Sequence, residues 1–186
     1  MAPSAVDVEE AAKRGIYVTN TPSELGDAVA EFALTLMLAL ARRVVEADKF
    51  TRAGKYKIWD PNIFLGQDLT RKTLGVIGAG TIGSVVAKRA RDVFDMPVIY
   101  SGRSRKEDFE AETNATFVEQ VDLFKQADVI TLHVPLVPAT RHMISHEQFE
   151  LMKPTTILIN TSRGPVVHEE ALVDALENQK IWGAAL

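Results

Sequence analysis

The sequence of 186 residues contains no cysteine. The chain can therefore form no disulfide and can offer no thiolate nucleophile. Disulfides belong mainly to oxidising compartments, so their exclusion fits a cytoplasmic protein. We expect a cytoplasmic location, and any catalytic group must be a side chain other than cysteine.

Long apolar runs and an excess of positive charge are also missing. The longest apolar run, Ala28 to Ala41, is interrupted by Glu31 and falls short of the roughly 20 residues that a membrane helix needs. The N-terminal stretch MAPSAVDVEEAAKRG is acidic and has no apolar core, so we expect no secretory signal. A net charge of -4 gives no basic surface for nucleic acid. These absences predict a globular protein with neither a membrane nor a nucleic-acid partner.

Strand and helix patterns alternate along the chain, which predicts an α/β fold with a doubly wound parallel sheet of Rossmann type. The strand-like segments are IYVTN (Ile16 to Asn20), TLGVIG, PVIYS, DVITLHV, TTILINT and the incomplete IWGAAL. Helical spacing runs from Ser23, a plausible N-cap, to about Arg52, and recurs over Thr81–Val93, FVEQVDLFKQA, Ser145–Met152 and His168–Asn178. Because the chain stops inside an apolar strand, we expect it to be part of a longer protein.

One connecting segment is unusually long. AGKYKIWDPNIFLGQDLTRK shows no clean period and contains Trp59, Pro61 and Gly66, so we predict a loop. Loops of this length are uncommon in compact domains. The segment is therefore expected to pack against the domain or against a partner.

A glycine-rich turn, LGVIGAGTIG, places Gly78, Gly80 and Gly83 in the pattern G-x-G-x-x-G. In this pattern the first glycine permits a tight turn, the second lets the backbone approach a pyrophosphate, and the third lets the helix pack against the strand. The following helix begins at Thr81 and Ile82, whose free N–H groups would face the phosphates. Because the turn lies between an apolar strand and an amphipathic helix, it predicts dinucleotide binding.

The end of the second strand decides which dinucleotide is expected. An acidic residue should follow the motif by about 20 residues and bind the ribose of NAD. Gly102, which lies 19 residues after Gly83, takes that place, and Arg103, Ser104 and Arg105 follow it. Arginine and serine can donate hydrogen bonds to a 2′-phosphate. The tip therefore favours NADP(H), with NAD(H) as the alternative, although it could also be a solvated basic turn facing Glu107, Asp108 and Glu110.

Several segments together resemble the D-isomer-specific 2-hydroxyacid dehydrogenases, and in particular their glyoxylate and hydroxypyruvate reductase branch. They are RGIYVTNTP, VAEFALTLMLALAR, LGVIGAGTIG, LHVPLVPATRHMI, NTSRGPVV and GAAL. The resemblance implies a cofactor domain over residues 21–186 and a remnant of the substrate domain over residues 1–20. It further implies a homodimer built through the helix and arm of residues 23–68.

The same resemblance implies the reduction of a 2-oxo acid by a nicotinamide cofactor. Arg163 matches the family's arginine, which would hold the substrate carboxylate and polarise the 2-oxo group. The family's glutamate and histidine would follow GAALDV, beyond Leu186. Further cofactor contacts are expected from the loop after the third strand and from the end of the fourth, at His133, Val134, Pro135, Thr140 and Thr161.

None of the other polar residues is a convincing replacement for the missing acid. His133 can be a cofactor contact or a packed loop histidine. His142 and His146 are four residues apart but lack the glutamate and third ligand of a zinc motif, so we expect no metal. His168 is expected to be a helix cap or solvated. Asp27 and Glu31 are expected to be solvated or interface charges.

Two other functions remain open. Transcriptional corepressors that sense nucleotides also resemble this family, but they would be expected to carry an acid at the position of Gly102. A different Rossmann enzyme, such as a methyltransferase, is disfavoured because NTSRGP and VPLVPATRH would have no role in it.

Overall fold

A computed structural model describes residues 6–19 and 26–186. Within these ranges the chain forms eight α-helices and six β-strands. The helices are α1 (Val8–Lys13), α2 (Gly26–Ala41), α3 (Val44–Arg52), α4 (Thr81–Phe94), α5 (Glu107–Thr113), α6 (Gln120–Gln126), α7 (His146–Leu151) and α8 (Glu169–Glu177). The strands are β1 (Leu74–Ile77), β2 (Val98–Ser101), β3 (Thr116–Phe117), β4 (Val129–Leu132), β5 (Ile157–Asn160) and β6 (Gly183–Ala185).

The six strands form one parallel sheet in the order β3-β2-β1-β4-β5-β6. This is the strand order of the doubly wound dinucleotide-binding fold, so the predicted fold class is confirmed. Every residue of β1, β2, β4 and β5 is buried. Strands covered on both faces read as continuous apolar runs, and that is why the sequence pattern marked these four correctly.

Helices cover both faces of the sheet, and β1 shows how one strand serves two cores. Leu74 and Val76 join the core beneath α2 and α4, whereas Ile77 joins the core beneath α6, α7 and α8. The side chains of a strand alternate between its faces, so both helical layers rest on the same short strands. No helix in the described part of the chain is long and apolar enough to cross a membrane.

The single long helix predicted from Ser23 to Arg52 is wrong, because the structure has α2 and α3 with a break between them. Arg43 adopts a left-handed conformation with φ of 53°. The carbonyl of Ala41 accepts the N–H of Gln67 at 2.8 Å instead of continuing the helix. The returning loop thus competes for the helix's last carbonyls. The predicted N-cap, Ser23, lies outside the described residues.

Two other predictions differ from the structure, and two short elements were not predicted. Ile16 to Thr19 form no strand, and Asn20 lies outside the described residues. The short strand β3 and the helix α5 were not predicted, because two and seven residues carry too little periodicity. Phe117 consequently belongs to β3 and not to the next helix, which begins at Gln120. The long loop is confirmed, since residues 53–73 contain neither helix nor strand.

Candidate functional site

The candidate site lies at the carboxyl edge of the sheet, where the chain leaves β1 and β4. These two neighbouring strands continue in opposite directions across the sheet, since β1 leads to β2 and β4 leads to β5. Open α/β sheets bind ligands at such a switch point. The glycine turn follows β1, and His133 follows β4, with its N–H bonded to the carbonyl of Ile77 at 2.8 Å.

The three glycines of the turn have different surroundings. Gly78 has φ of +97°, and a Cβ there would come within 2.9 Å of the backbone of His133. A Cβ at Gly83 would collide with the carbonyl oxygen of Gly78. A Cβ at Gly80, by contrast, would meet no atom of the described residues within 4 Å. Gly78 and Gly83 are therefore required by the protein itself, while Gly80 keeps the backbone bare on an open side. This geometry fits a pyrophosphate at Gly80.

Helix α4 points its N-terminus at the same place. Gly80 is its N-cap, no side chain caps it, and its first turn contains no acidic residue. The N–H groups of Thr81, Ile82 and Gly83 therefore have no partner within the helix. Free N–H groups and the positive end of the helix dipole favour an anion here.

The loop after β2 carries the residues predicted to read the ribose. A Cβ at Gly102 would meet no atom of residues 6–19 or 26–186 within 4 Å. Arg103 and Ser104 are exposed, and neither side chain is hydrogen-bonded to another described residue. Arg105 differs, because its guanidinium donates to both carboxylate oxygens of Glu110 at 2.7–2.9 Å. Of the two predicted arginines, one is thus engaged within the protein.

His133 is largely buried, and its Nε2 lies 2.9 Å from the hydroxyl oxygen of Thr131. Burial lowers the pKa of His133 to about 4, because desolvation disfavours the charged ring. The imidazole is therefore neutral at physiological pH. It can contact a cofactor, but it holds no exchangeable second proton with which to act as an acid.

The rest of the β4 loop is shaped by Thr140. Its hydroxyl donates to the carbonyl of Pro135 at 2.6 Å and accepts the N–H of Val137 at 2.9 Å. Val134 lies against Gly78, where its Cγ1 would be 3.0 Å from an added Cβ. Thr140 thus fixes the turn that carries Val134 and Pro135 to the site edge, and its own hydroxyl is occupied in doing so.

The loop after β5 presents Arg163. The buried side chain of Asn160 donates to the carbonyl of Arg163 at 3.0 Å and accepts from the N–H and hydroxyl of Ser162. Arg163 itself is exposed, and its Nη1 donates to the carbonyl of Ser162 at 2.7 Å. Thr161 has a buried hydroxyl with no hydrogen-bond partner among the described residues. Buried polar groups are nearly always paired, so Thr161 is a place where a ligand could supply the missing partner.

The remaining histidines lie near one another, and the N–H of His142 donates to the carbonyl of Pro165 at 2.8 Å. The rings of His142 and His168 lie 4.6 Å apart, and His146 Nδ1 lies 3.6 Å from Asp174. No group of three or more His, Asp or Glu side chains in the described ranges is placed to hold a metal ion. His168 is the N-cap of α8 and accepts the N–H of Ala171, in agreement with one of the two expectations for it.

The two acidic residues considered on α2 also lie outside the site. Asp27 pairs with Arg89 of α4, and its side chain is 79% exposed. Glu31 is exposed, and its carbonyl accepts the hydroxyl of Thr35. Exposure in a single chain fits a solvated charge and an interface charge equally, so both expectations stay predictions.

Sequence reasoning did not identify two residues that shape the site, namely Tyr100 and Asn160, and it named Glu110 only among three acids that a solvated basic turn would face. Tyr100 and Glu110 are ten residues apart on a strand and a helix, and only the unpredicted α5 brings them together. Asn160 had a signal, because it is a polar residue at the end of an apolar strand and closely precedes Arg163.

Known proteins share this arrangement. The family model for the NAD binding domain of D-isomer specific 2-hydroxyacid dehydrogenases matches residues 34–186. The glyoxylate reductase of Thermococcus litoralis is 52% identical over 185 residues, covering 97% of this chain and 56% of that protein. A protein of solved structure from Thermus thermophilus has a TM-score of 0.92 at 44% identity, over 98% of this chain and 57% of its own. The D-lactate dehydrogenase of Aquifex aeolicus, solved with NAD and lactic acid, has a TM-score of 0.84 at 35% identity, over 96% of this chain and 53% of its own.

These relatives are longer than the chain. It spans about half the length of the curated relatives that it matches, 56% in the case of Thermococcus litoralis. The family resemblance found in the sequence is nevertheless confirmed, because the matched region contains the glycine turn, the β4 loop and the Arg163 loop. The chain belongs to the D-isomer specific 2-hydroxyacid dehydrogenase family, and residues 34–186 are its NAD-binding domain.

Proposed function

We propose that the protein is an oxidoreductase that reduces a small 2-oxo acid with a nicotinamide cofactor. The observation that carries this proposal is the placement of a bare-backbone glycine turn and an exposed arginine, Arg163, on the same carboxyl edge of one sheet. The turn suits a dinucleotide, and the arginine fork suits a carboxylate. Relatives named glyoxylate reductase support a substrate of the glyoxylate or hydroxypyruvate type.

For the cofactor contacts we propose the predicted set. Its residues would contact the phosphates at the glycine turn, the ribose at the β2 loop and the nicotinamide at the β4 and β5 loops. They are Gly78, Gly80, Thr81, Ile82, Gly83, Arg103, Ser104, Arg105, His133, Val134, Pro135, Thr140 and Thr161. Arg105 enters this set as the weakest member, because Glu110 holds its guanidinium. We propose NADP(H) as the preferred cofactor and NAD(H) as a weaker one, since no carboxylate stands at Gly102 to repel a 2′-phosphate.

We also propose that the protein works as a cytoplasmic homodimer. Helices α2 and α3 and the following arm expose Phe32, Tyr56, Ile58 and Trp59 to solvent. An apolar surface of this kind marks an interface with another protein. Residues 1–20 would then belong to the substrate domain, residues 21–186 to the cofactor domain, and residues 23–68 to the dimer contact.

Light scattering at micromolar concentration tests the dimer, and a mass near twice 20.5 kDa is expected. Trp59→Ser, which removes a large exposed aromatic of the arm, should shift the equilibrium toward monomer. Trp182→Ser is the matched control, because Trp182 is also partly exposed but lies just before β6. A monomeric mass for the unmutated chain would refute the dimer.

Oxidation of NADPH in the presence of glyoxylate or hydroxypyruvate tests the reaction. The 186 residues should bind NADPH but reduce these acids at least about 10²-fold more slowly than the intact glyoxylate reductase of Thermococcus litoralis. The reason is that a positioned general acid contributes about 10²–10⁴-fold, and burial, which lowers the pKa of His133 to about 4, leaves its ring mostly unprotonated near neutral pH. Calorimetry with NADPH and with S-adenosylmethionine serves as the control for fold-level alternatives. Tight binding of S-adenosylmethionine alone would refute the oxidoreductase.

A further inference from the structure

The loop after β2 holds two arginines in different states. Arg105 makes three hydrogen bonds to Glu110, from Nε to both carboxylate oxygens and from Nη2 to one of them. Arg103, two residues earlier, is exposed and makes no side-chain hydrogen bond to the described residues. The sequence favours Arg103 and Ser104 as phosphate donors but gives no contact that would disqualify Arg105. The structure distinguishes them.

Tyr100 fixes the position of Glu110. Its ring is 1% exposed and lies between the rings of Phe109 and Phe117, with centroids at 4.9 and 5.2 Å. Its hydroxyl donates to Glu110 at 2.6 Å and accepts the backbone N–H of Lys106 at 2.7 Å. One buried hydroxyl therefore joins the strand, the carboxylate and the end of the loop.

Helix α5, which carries Glu110, is itself attached to α4. Lys88 pairs with Glu112 at 2.7 Å, and Arg91 donates to the carbonyl of Glu112 at 2.6 Å. The side chain of Glu110 is only 15% exposed. Hydrogen bonds from Arg105, and then from Tyr100, hold the pKa of Glu110 below its usual range, so the carboxylate is charged at neutral pH.

We propose that Glu110 is a positioning residue that determines cofactor specificity: it holds and neutralises Arg105, so that Arg103 and Ser104 are the main ligands of the 2′-phosphate and Arg105 contributes little. The proposal rests on the proposed function, which brings that phosphate to this loop. The carboxylate of Glu110 offsets the positive charge of Arg105 and fixes its guanidinium, so Arg105 attracts a second anion less strongly than Arg103 does. Arg105 should therefore bind the phosphate more strongly when Glu110 is replaced by a neutral residue.

Calorimetry of NADPH and NADH on the 186-residue chain tests this proposal at low ionic strength. Arg105→Ala should change the ratio of the two dissociation constants by less than about threefold, whereas Arg103→Ala should change it by about tenfold or more. Glu110→Gln should raise the preference for NADPH by about threefold or more, because Arg105 keeps its charge and loses its counter-charge. Adding Arg105→Ala to Glu110→Gln should cancel that gain.

Glu112→Gln is the matched control. It removes the same charge from the same helix, but its partner is Lys88 and not the loop, so the ratio should change by less than about twofold. Thermal unfolding of each variant checks that the fold is kept. Should Glu110→Gln not fold, Arg105→Ala decides the matter alone, since its side chain is 67% exposed.

The proposal is overturned if Arg105→Ala costs as much NADPH preference as Arg103→Ala, or if Glu110→Gln leaves the ratio unchanged. Failure of the proposed cofactor preference has a different signature. In that case the unmutated chain binds both cofactors equally and Arg103→Ala changes nothing. The role of Glu110 is then tested by comparing NADPH binding of Glu110→Gln with that of the double variant that also carries Arg105→Ala.

Discussion

The glycine turn after β1 and the arginine loop after β2 follow neighbouring strands and end at the same sheet edge, yet they are built differently. The turn is shaped by missing side chains, since Gly78 and Gly83 admit the backbone where a Cβ would collide. The loop is shaped by side chains, through the contacts of Tyr100, Glu110 and Arg105. Backbone packing makes the turn rigid and hard to vary. The loop depends on hydrogen bonds between side chains, so we expect single substitutions to alter which ligand it binds.

The largest effect should come from breaking the turn itself. Gly83→Ala places a Cβ against the carbonyl of Gly78, so the free energy of unfolding should fall by about 2–4 kcal/mol. Gly80→Ala is the matched control, because its Cβ meets no described atom and its φ is already negative. It should keep stability within about 1 kcal/mol and still weaken NADPH binding, because the methyl lies where the pyrophosphate must approach.

Urea unfolding and calorimetry on both glycine variants measure these two effects. The contrast between them fails if Gly80→Ala destabilises the chain as much as Gly83→Ala, since both glycines would then serve packing alone.

The second largest effect concerns His133, whose backbone lies next to Gly78 of the glycine turn. Its pKa is about 4 in the folded chain and about 6.5 when unfolded, so the unfolded state binds the extra proton between these values. The contribution of His133 to the free energy of unfolding is fully present above pH 6.5. It falls by about 3 kcal/mol as the pH is lowered to 4. His133→Gln should flatten this part of the stability profile.

Urea midpoints between about pH 7 and pH 4 provide the measurement, because that window spans the two pKa values of His133. The exposed His146→Gln is the control and should keep the slope of the unmutated chain. The lowered pKa of Asp128 involves neither histidine, so this carboxylate contributes to acid lability equally in both variants. His146 adds only a minor part to the lowered pKa of Asp174, so the difference between the variants reports mainly on His133. Identical slopes for the two variants would show that His133 is not buried as a neutral ring.

The smallest effects belong to the arginine loop. Losing Arg103 should weaken NADPH by about 10- to 150-fold, the worth of a hydrogen bond to a charged group, which is about 1.5–3 kcal/mol. Gly102→Asp should move the preference toward NADH, since its Cβ meets no described atom and its carboxylate would repel a 2′-phosphate. Calorimetry with both cofactors checks each variant. Unchanged stability is expected for both, in contrast to Gly83→Ala.

The same contrast explains what could be predicted from the sequence. The sheet, the turn and the long loop could be predicted because apolar runs and glycine spacing report backbone requirements directly. A basic turn facing nearby acids could be predicted as an alternative, but the specific pairing of Arg105 with Glu110 could not, since it depends on α5, whose seven residues show no clear helical period. The break at Arg43 was missed for a related reason. Helical spacing continues through it, and the competing N–H comes from Gln67, far along the chain.

The strand order has a consequence for how the chain folds during synthesis. Strand β1 is central, and its residue Leu74 pairs with Val98 on one side and with Val129 on the other. A ribosome releases β2 well before β4, so the nascent β1 first gains one neighbour and keeps an apolar edge unpaired. Unpaired edges of this kind are where chains associate wrongly. One edge of β1 is thus unpaired between the emergence of Ser101 and of Leu132, and we expect slower translation of this interval to lower the soluble yield.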